Sequence, residues 1–245
     1  MIASEINIDR LSVGKLEDST AVSSQRIAWI NYDGLKSPLR IKTPHFITET
    51  YGVPRQGQYY PTDKARSFYK LPFCHERAEF KDQVDYEQME QLYNKMLELD
   101  KHFGSEERKL ELFGEKMASK YEYQPVVRLP QESEEEEEGK AYRPPYMKVK
   151  LPMTHDGDVP SFRLINKKLD GTIIKVDLMD FSDVVKHMRF LTKHRMILEF
   201  QKLYAMKTSS GNEKRKYGVT VKLLLVECTN KEEERSSRFL LEFDD

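Results

Sequence analysis

Apolar residues recur every three or four positions between residues 82 and 121, which is the spacing of an amphipathic helix. Asp82 is placed to cap a first helix that Gly104 ends, and Ser105 is placed to cap a second. Glu106 and Glu107 follow Ser105, where carboxylates interact favourably with the helix dipole. The pattern predicts a helical hairpin over residues 82–121. Its apolar stripe contains Tyr86, Met89, Leu92, Tyr93, Met96, Leu99, Phe103, Leu110, Phe113, Met117 and Tyr121.

Much of the remaining chain alternates apolar with polar residues, as half-buried strands do. Residues 146–151 place apolar side chains on one face and Lys148 and Lys150 on the other. Three pairs of strand-like segments flank turn signals and predict hairpins, and a short helix is expected over residues 180–187. The pairs are residues 26–32 with 39–42, 162–165 with 172–178, and 195–206 with 217–228. The predicted fold class is α+β, mainly β.

The length of 245 residues suits one compact domain with insertions. Residues 1–24 are rich in Ser, Asp and Glu and are interpreted as an arm or an extra edge strand. Residues 25–230 are expected to form the domain, interrupted by a low-complexity acidic loop at residues 131–139. Residues 231–245 form an acidic tail.

The formal net charge of −1 conceals a strong segregation of charge along the chain. Between Lys186 and Lys222 there are ten basic residues and only two acidic ones, whereas the loop at 131–139 and the tail at 231–245 are acidic. Such asymmetry favours a polyanionic partner. A solvated surface with accidental clustering is the alternative.

Several classes of protein are excluded by composition. No stretch approaches the roughly 20 uncharged apolar residues of a membrane-spanning helix. The first ten residues lack the pattern of a secretory signal, so secretion by that route is not expected. Cys74 and Cys228 are too few for a disulfide framework or a four-thiolate zinc site, so the compartment is expected to be reducing.

The chain lacks the common catalytic motifs. It contains no phosphate-binding glycine loop, no nucleophile elbow and no zinc-protease helix. Residues 155–158 (His-Asp-Gly-Asp) suit a tight turn better than a metal site, and Asp177, Asp180 and Asp183 suit helix capping. Cys74 and His75 have no partners at catalytic spacing. We therefore expect neither an enzyme nor a bound cofactor or metal.

Cations interleaved with aromatic rings are the strongest functional signal. A site for unpaired nucleic acid needs positive charges for phosphates and flat rings on which bases stack. The candidate residues are Lys202, Tyr204, Lys207, Lys214, Arg215, Lys216, Tyr217 and Lys222 in the C-terminal region, Lys148 and Lys150, and Arg26, Trp29, Lys42, Phe46, Tyr51 and Arg55 nearer the N-terminus. Each ring has a structural alternative, since a strand Tyr or Trp often serves the core.

Duplex DNA fits this pattern less well. The two clearest helices carry an excess of acidic residues, and neither presents Arg, Asn or Gln suited to reading a major groove. Strands and loops carry the basic residues, which favours an unpaired strand as the ligand.

A set of short motifs resembles the single-stranded-DNA-binding proteins of nucleocytoplasmic large DNA viruses, of the African swine fever virus type. The motifs are Ile41-Lys42-Thr43-Pro44, Tyr51-Gly52-Val53, Tyr69-Lys70-Leu71, Leu97-x-Leu99-Asp100, the run from Tyr142 to Pro152, and Tyr204 followed by Tyr217-Gly218-Val219. The resemblance implies an OB-like β-barrel core with the helical hairpin as an insertion. It also implies sequence-tolerant binding of single-stranded DNA in viral replication, recombination or repair, within a cytoplasmic viral factory or the nucleus of the host cell.

The resemblance extends to partners. Replicative single-strand binders often end in acidic residues around an aromatic, as residues 239–245 do here, so the tail is expected to recruit replication proteins or to compete with DNA. A plain terminal strand explains the same alternation.

RNA as a second ligand and a homo-oligomer stay open. The alternative function is a viral structural or scaffold protein that assembles through acidic and basic surfaces, and a magnesium-dependent nuclease using Asp156 and Asp158 is a more distant one.

Overall fold

The computed structural model describes residues 1–34, 37–48, 52–73, 83–130, 143–156, 159–168, 170–189, 192–211 and 213–229. The strands are β1 Leu11–Val13, β2 Glu17–Asp18, β3 Gln25–Tyr32, β4 Leu39–Lys42, β5 Phe46–Ile47, β6 Phe68–Pro72, β7 Tyr121–Gln124, β8 Val127–Arg128, β9 Tyr146–Lys150, β10 Arg163–Lys167, β11 Ile173–Val176, β12 Lys193–Met206 and β13 Arg215–Thr229. The helices are α1 Gln83–Gly104, α2 Glu106–Phe113, α3 Glu115–Ala118 and α4 Phe181–His187. Within these ranges, no helix has the length and apolar character needed to cross a bilayer.

The long antiparallel hairpin β12–β13 is the centre of a mixed sheet. β12 pairs in succession with β3, β4 and β5, all antiparallel. β13 pairs on its other edge with β7, β9 and β10, all parallel, and β11 lies outside β10. β6 and β8 pair with β9. The structure thus confirms the prediction of an α+β, mainly β fold and of the two hairpins β10–β11 and β12–β13.

Two irregularities in the β12–β13 ladder decide which side chains face the core. The register shifts between Ile197 and Leu198 and again between Phe200 and Lys202. A shift by one residue exchanges the faces of a strand. Consequently β12 buries Met196, Leu198 and Phe200 at even positions and then Leu203 and Ala205 at odd ones.

The prediction of a hairpin between residues 26–32 and 39–42 is wrong. The turn is present, with Asp33 and Gly34 both at positive φ. However, β3 and β4 both pair with β12, one after the other along its length. β3 pairs with β12 as far as Trp29, and its last residues, Ile30 to Tyr32, pair with β1. β4 then pairs with the next part of β12, beginning at Leu39.

Residues 1–24 contribute to the sheet and the core. β1 and β2 both pair with β3, and Ala3, Ile6, Leu11 and Leu16 are buried. Of the two interpretations of this segment, the structure favours edge strands over a detached arm.

The helical prediction is confirmed at its centre and wrong at its end. α1 ends at Gly104, and the Ser105 hydroxyl accepts a hydrogen bond of 3.2 Å from the Arg108 backbone N–H, capping α2. Gly114, at φ +72°, then separates α2 from the short α3, and Tyr121 begins β7 beside β13. Pairing with the sheet therefore overrides helical periodicity at Tyr121. The predicted cap Asp82 lies outside the described residues.

Candidate nucleic-acid interface

One face of the sheet carries lysines from neighbouring strands. Residues that pair directly across a ladder project from the same face. Lys202 of β12 lies opposite both Trp29 of β3 and Thr220 of β13. Farther along, Lys222 of β13 pairs with Lys150 of β9. Lys148 and Lys150, which the alternation of residues 146–151 places on one side of β9, therefore project from the same face as Lys202 and Lys222.

The outer strand β6 completes this face. Phe68 pairs with Lys150, and Lys70 pairs with Lys148. The Lys148 ammonium lies 3.8 Å from the centroid of the Phe68 ring, and the Lys70 ammonium 5.0 Å from that of Tyr146. Cation–π contacts of this kind hold an ammonium in place without neutralising it.

Two adjoining cavities, of about 480 Å³ and about 530 Å³, follow this face and share several lining residues. The cations that line them are Lys64, Arg128, Lys148, Lys150, Lys202 and Lys222. We call this combined depression the basic trough. Among its lining residues in the described part of the chain there is no Asp or Glu, and the remaining polar lining comes from Ser, Thr, Gln, Tyr and His side chains.

The cations of the basic trough repel one another. The pKa of Lys202 is lowered by partial burial and then by Lys150 and Lys222. The pKa of Lys148 is lowered by partial burial and then by Arg128 and Lys70. Such shifts mean that burial and like charges disfavour the charged forms, and the described lining of the basic trough holds no carboxylate as a compensating partner. A polyanion lying in the basic trough would supply it.

An acidic residue of β12, Glu199, has a basic partner of its own. Glu199 is buried and lies opposite Lys222 in the β12–β13 register. Its carboxylate accepts a 2.9 Å hydrogen bond from the Arg40 guanidinium, an ion pair with one exposed partner. Arg40 thereby balances the Glu199 carboxylate.

Asp100 of α1 anchors residues 126–128, the segment that carries Arg128. Its carboxylate accepts hydrogen bonds from the backbone N–H groups of Val126 at 2.7 Å and Val127 at 2.9 Å, and from the Tyr123 hydroxyl at 2.9 Å. Burial raises the pKa of Asp100, and these hydrogen bonds oppose that rise. The helix thus positions β8, and with it the Arg128 side chain, at the edge of the basic trough.

Two predicted rings are accessible at this face. Tyr204 is half-buried and lines the basic trough. Opposite it in the ladder is Gly218, where a Cβ would lie 3.3 Å from the Tyr204 hydroxyl and 2.9 Å from the Gln124 carbonyl oxygen. The glycine leaves room for the tyrosine. Trp29, next to Lys202, is 46% exposed.

Two other predicted rings are inside the protein, so their proposed stacking role is corrected. Tyr217 is fully buried beside Phe113, Tyr121 and Tyr123, and its hydroxyl donates a 2.9 Å hydrogen bond to the Phe103 carbonyl. Phe46 is buried against Tyr69 and His194. Both belong to the core-facing side of their strands.

The cations of the loop between β12 and β13, which are among the predicted site residues, do not line the basic trough. Lys207 pairs with Asp18 at 3.0 Å, and Lys216 with Glu213 at 3.5 Å. The Arg215 guanidinium lies over the Tyr121 ring. Lys214 is exposed. These cations lie beyond the Tyr204 end of the hairpin.

The remaining predicted residues are dispersed. The Arg26 guanidinium donates to the Leu16 carbonyl at 3.2 Å. Lys42, opposite Ile197, and Arg55 are exposed but do not line the basic trough. Tyr51 lies outside the described residues, as do the acidic loop at 131–139 and the tail at 231–245.

Sequence reasoning missed Lys64 and Arg128. Lys64 lies in the loop before β6, and Arg128 in a strand of two residues. Neither belongs to an alternating pattern, so no local signal points to them. The pairing of β8 with β9 brings Arg128, and the pairing of β6 with β9 brings Lys64, to the basic trough beside Lys202.

Residues considered for metal binding have ordinary structural roles. Asp180 caps α4 as predicted, accepting from the backbone N–H groups of Ser182 at 2.8 Å and Asp183 at 3.2 Å. His155 and Asp156 are exposed, and Asp158 lies outside the described residues. Across the ranges described, no group of three or more His, Cys, Asp or Glu side chains is arranged to hold a metal ion.

No known protein-family model matches the chain. The chain is similar to a protein of Acanthamoeba polyphaga mimivirus that bears the name "Uncharacterized protein R505". The two are 27% identical over 254 aligned residues, which cover 91% of this chain and 59% of the mimivirus protein. The chain therefore spans about three fifths of the length of this relative. The likeness connects the chain with a giant-virus protein and indicates no activity.

Proposed function

We propose that this protein binds single-stranded DNA in the basic trough, without strong base preference, and serves replication, recombination or repair in a large DNA virus. The observation that carries the proposal is the convergence of six cations from separate segments on one sheet face, whose lining contains no carboxylate among the residues that the structure describes. The phosphates of a bound strand supply counter-charge to these groups. No reaction is assigned to the site.

The rings beside the cations favour an unpaired strand over a duplex. Tyr204 and Trp29 border the lysine-rich face, and a stacking ring accepts any unpaired base. The bases of a duplex are already stacked on one another and do not reach such rings. In addition, the described residues that line the basic trough belong to strands and loops, and a helix is the element that most often enters a major groove.

The proposal extends to the fold and the origin of the protein. We assign the sheet to an OB-like barrel in which α1, α2 and α3 are an insertion between β6 and β7. Their position in the chain order and the bends that the β12 irregularities introduce support this assignment. The similarity to a mimivirus protein supports the viral context.

Titration of oligo-dT and of a matched duplex at two salt concentrations tests the proposal. If all six cations contact phosphates, log K should fall with log salt with a slope of about −4 for a single strand. The double variant Lys150→Gln/Lys202→Gln should lose roughly tenfold or more in affinity, and its slope should be shallower by about 1.4.

Lys214→Gln is the matched control, because Lys214 is exposed outside the basic trough. Equal losses in the control and the double variant would contradict the proposed location of the site. Failure to bind oligo-dT together with binding of an acidic protein segment would instead favour the alternative function, assembly through acidic and basic surfaces.

A further inference from the structure

The outermost strand of the sheet beyond β10 presents an unusually apolar edge. β11 pairs only with β10 among the described residues. Ile173 is 60% exposed, and Ile174 is also exposed. Met179, which follows the strand, is 74% exposed. An exposed apolar edge strand is a template for pairing with another chain.

The sequence around this edge is complementary, in charge and polarity, to a second copy of itself that runs antiparallel. Residues 173–179 read Ile-Ile-Lys-Val-Asp-Leu-Met. Around Val176, Lys175 mirrors Asp177, and apolar residues mirror apolar residues at the next two positions on each side. Two copies running antiparallel with their dyad at Val176 therefore place every charge opposite its complement and every apolar residue opposite an apolar one.

The backbone of β11 is oriented for such pairing. In the turn between β10 and β11, the Lys168 N–H donates to the Thr172 carbonyl at 2.9 Å. Hydrogen-bonded pairs alternate along an antiparallel ladder, so Ile174 and Val176 direct their backbone groups toward β10. The backbone groups of Ile173 and Lys175 consequently point to the free edge.

We propose that two copies of this chain associate through β11, antiparallel and with the two-fold axis at Val176. In this arrangement Lys175 lies opposite Asp177 of the second copy, and Ile173 lies opposite Met179 of the second copy. Within one chain the Lys175 ammonium and the Asp177 carboxylate are already 2.9 Å apart, so the dimer contains an alternating cluster of four charges.

This self-complementarity favours a second copy over an unrelated partner. Isologous pairing uses the same surface twice and leaves no unpaired β11 edge in the dimer. A contact of one short strand per chain buries a modest area, so the dimer is expected to be weak and concentration-dependent. The inference does not depend on DNA binding, because association is measured without nucleic acid.

Sedimentation velocity over a roughly hundredfold range of protein concentration tests the proposal, with wild type expected to shift toward a dimer at the high end. Lys175→Asp places like charges opposite each other twice, by symmetry, and should weaken the dimer by roughly tenfold or more. Asp177→Lys should do the same. The double variant Lys175→Asp/Asp177→Lys restores opposite charges and should restore the dimer.

Lys168→Asp is the control, since this exposed lysine of the same hairpin lies outside the paired register. Both substituted side chains of the test pair are largely exposed, so the variants should stay folded. A monomeric wild type at every concentration, a Lys175→Asp protein that dimerises as the wild type does, or a double variant that stays monomeric would each overturn the proposal. Oligo-dT binding is expected to persist in all of these variants, which separates this inference from the proposed function.

Discussion

Trp29 and Lys202 lie directly opposite each other on the antiparallel strands β3 and β12. The pair joins an exposed indole to an ammonium of the basic trough on one sheet face. A strand whose phosphate contacts Lys202 therefore has a ring within reach of the adjoining base. The juxtaposition matches what binding of unpaired nucleic acid requires.

Replacement of Trp29 should weaken binding of oligo-dT. Trp29→Ala removes a stacking surface worth about 1 to 3 kcal/mol per base, so the dissociation constant should rise by roughly fivefold to a hundredfold. Tyr59→Ala is the control, because Tyr59 is more exposed than Trp29 and does not line the basic trough. Since Trp29 is the one tryptophan in the chain, its fluorescence reports the contact directly. Oligo-dT that binds without changing this fluorescence would exclude stacking on Trp29.

The lysine cluster should make DNA binding sensitive to alkaline pH. The pKa values of Lys148 and Lys202 lie below the ordinary lysine value because of partial burial and neighbouring cations. A bound polyanion favours the charged forms and raises these pKa values, so binding takes up protons. Affinity for oligo-dT should therefore fall as pH rises from the lowered pKa of the free protein toward the higher pKa of the complex.

Lys202→Arg provides the matched test of this pH effect. Arginine stays protonated throughout the alkaline range, so this variant should retain affinity at pH values where the wild type loses it. The measurement is the dissociation constant at constant ionic strength across that range. A wild type and a Lys202→Arg protein that respond identically to pH would show that Lys202 does not titrate on binding.

Alternation along the sequence identified four of the six cations of the basic trough. Lys148 and Lys150 belong to a regular strand whose polar face follows from period-two patterning, and Lys202 and Lys222 belong to the two long strand-like segments of the predicted C-terminal hairpin. The basic loop between β12 and β13 misled the sequence analysis, because charge density alone does not reveal that Lys207 and Lys216 pair with nearby acids.

The side of the sheet from which an aromatic side chain projects was harder to predict than the strand that carries it. Tyr204 and Tyr217 lie on the two strands of the same hairpin, one register position apart, yet one lines the basic trough and the other is buried. Register decides the difference: Tyr204 pairs with Gly218, whereas Tyr217 pairs with the buried Ala205. Long-range pairing of this kind cannot be recognised from the local sequence, and neither can the antiparallel β8–β9 and parallel β9–β13 pairings that bring Arg128 to the site.

Loss of the Asp100 carboxylate should weaken both stability and binding. Asp100→Asn retains one acceptor oxygen where the carboxylate receives three donors, so buried donors lose partners. Unfolding should become easier by about 1.5 to 3 kcal/mol, measured by urea denaturation. Oligo-dT affinity at temperatures where the variant is folded should also fall, because β8 no longer fixes Arg128. The helix-surface variant Glu98→Gln should change neither quantity by more than about 0.5 kcal/mol. Undiminished affinity in Asp100→Asn would show that Arg128 does not depend on this anchor.

Acid should destabilise the protein through His194. This imidazole is fully buried and its Nδ1 lies 3.0 Å from the Thr48 hydroxyl, while burial lowers its pKa to about 3. The unfolded chain binds a proton at about pH 6.5, the ordinary histidine value, so lowering the pH below that value favours unfolding. The free energy of unfolding should fall by up to about 1.4 kcal/mol per pH unit between about 6.5 and the folded-state value.

His194→Gln should have a shallower dependence in urea denaturation between pH 7 and pH 4, whereas His155→Gln, at an exposed position, should follow the wild type. If His194→Gln kept the full slope, the acid sensitivity would have to come from other groups.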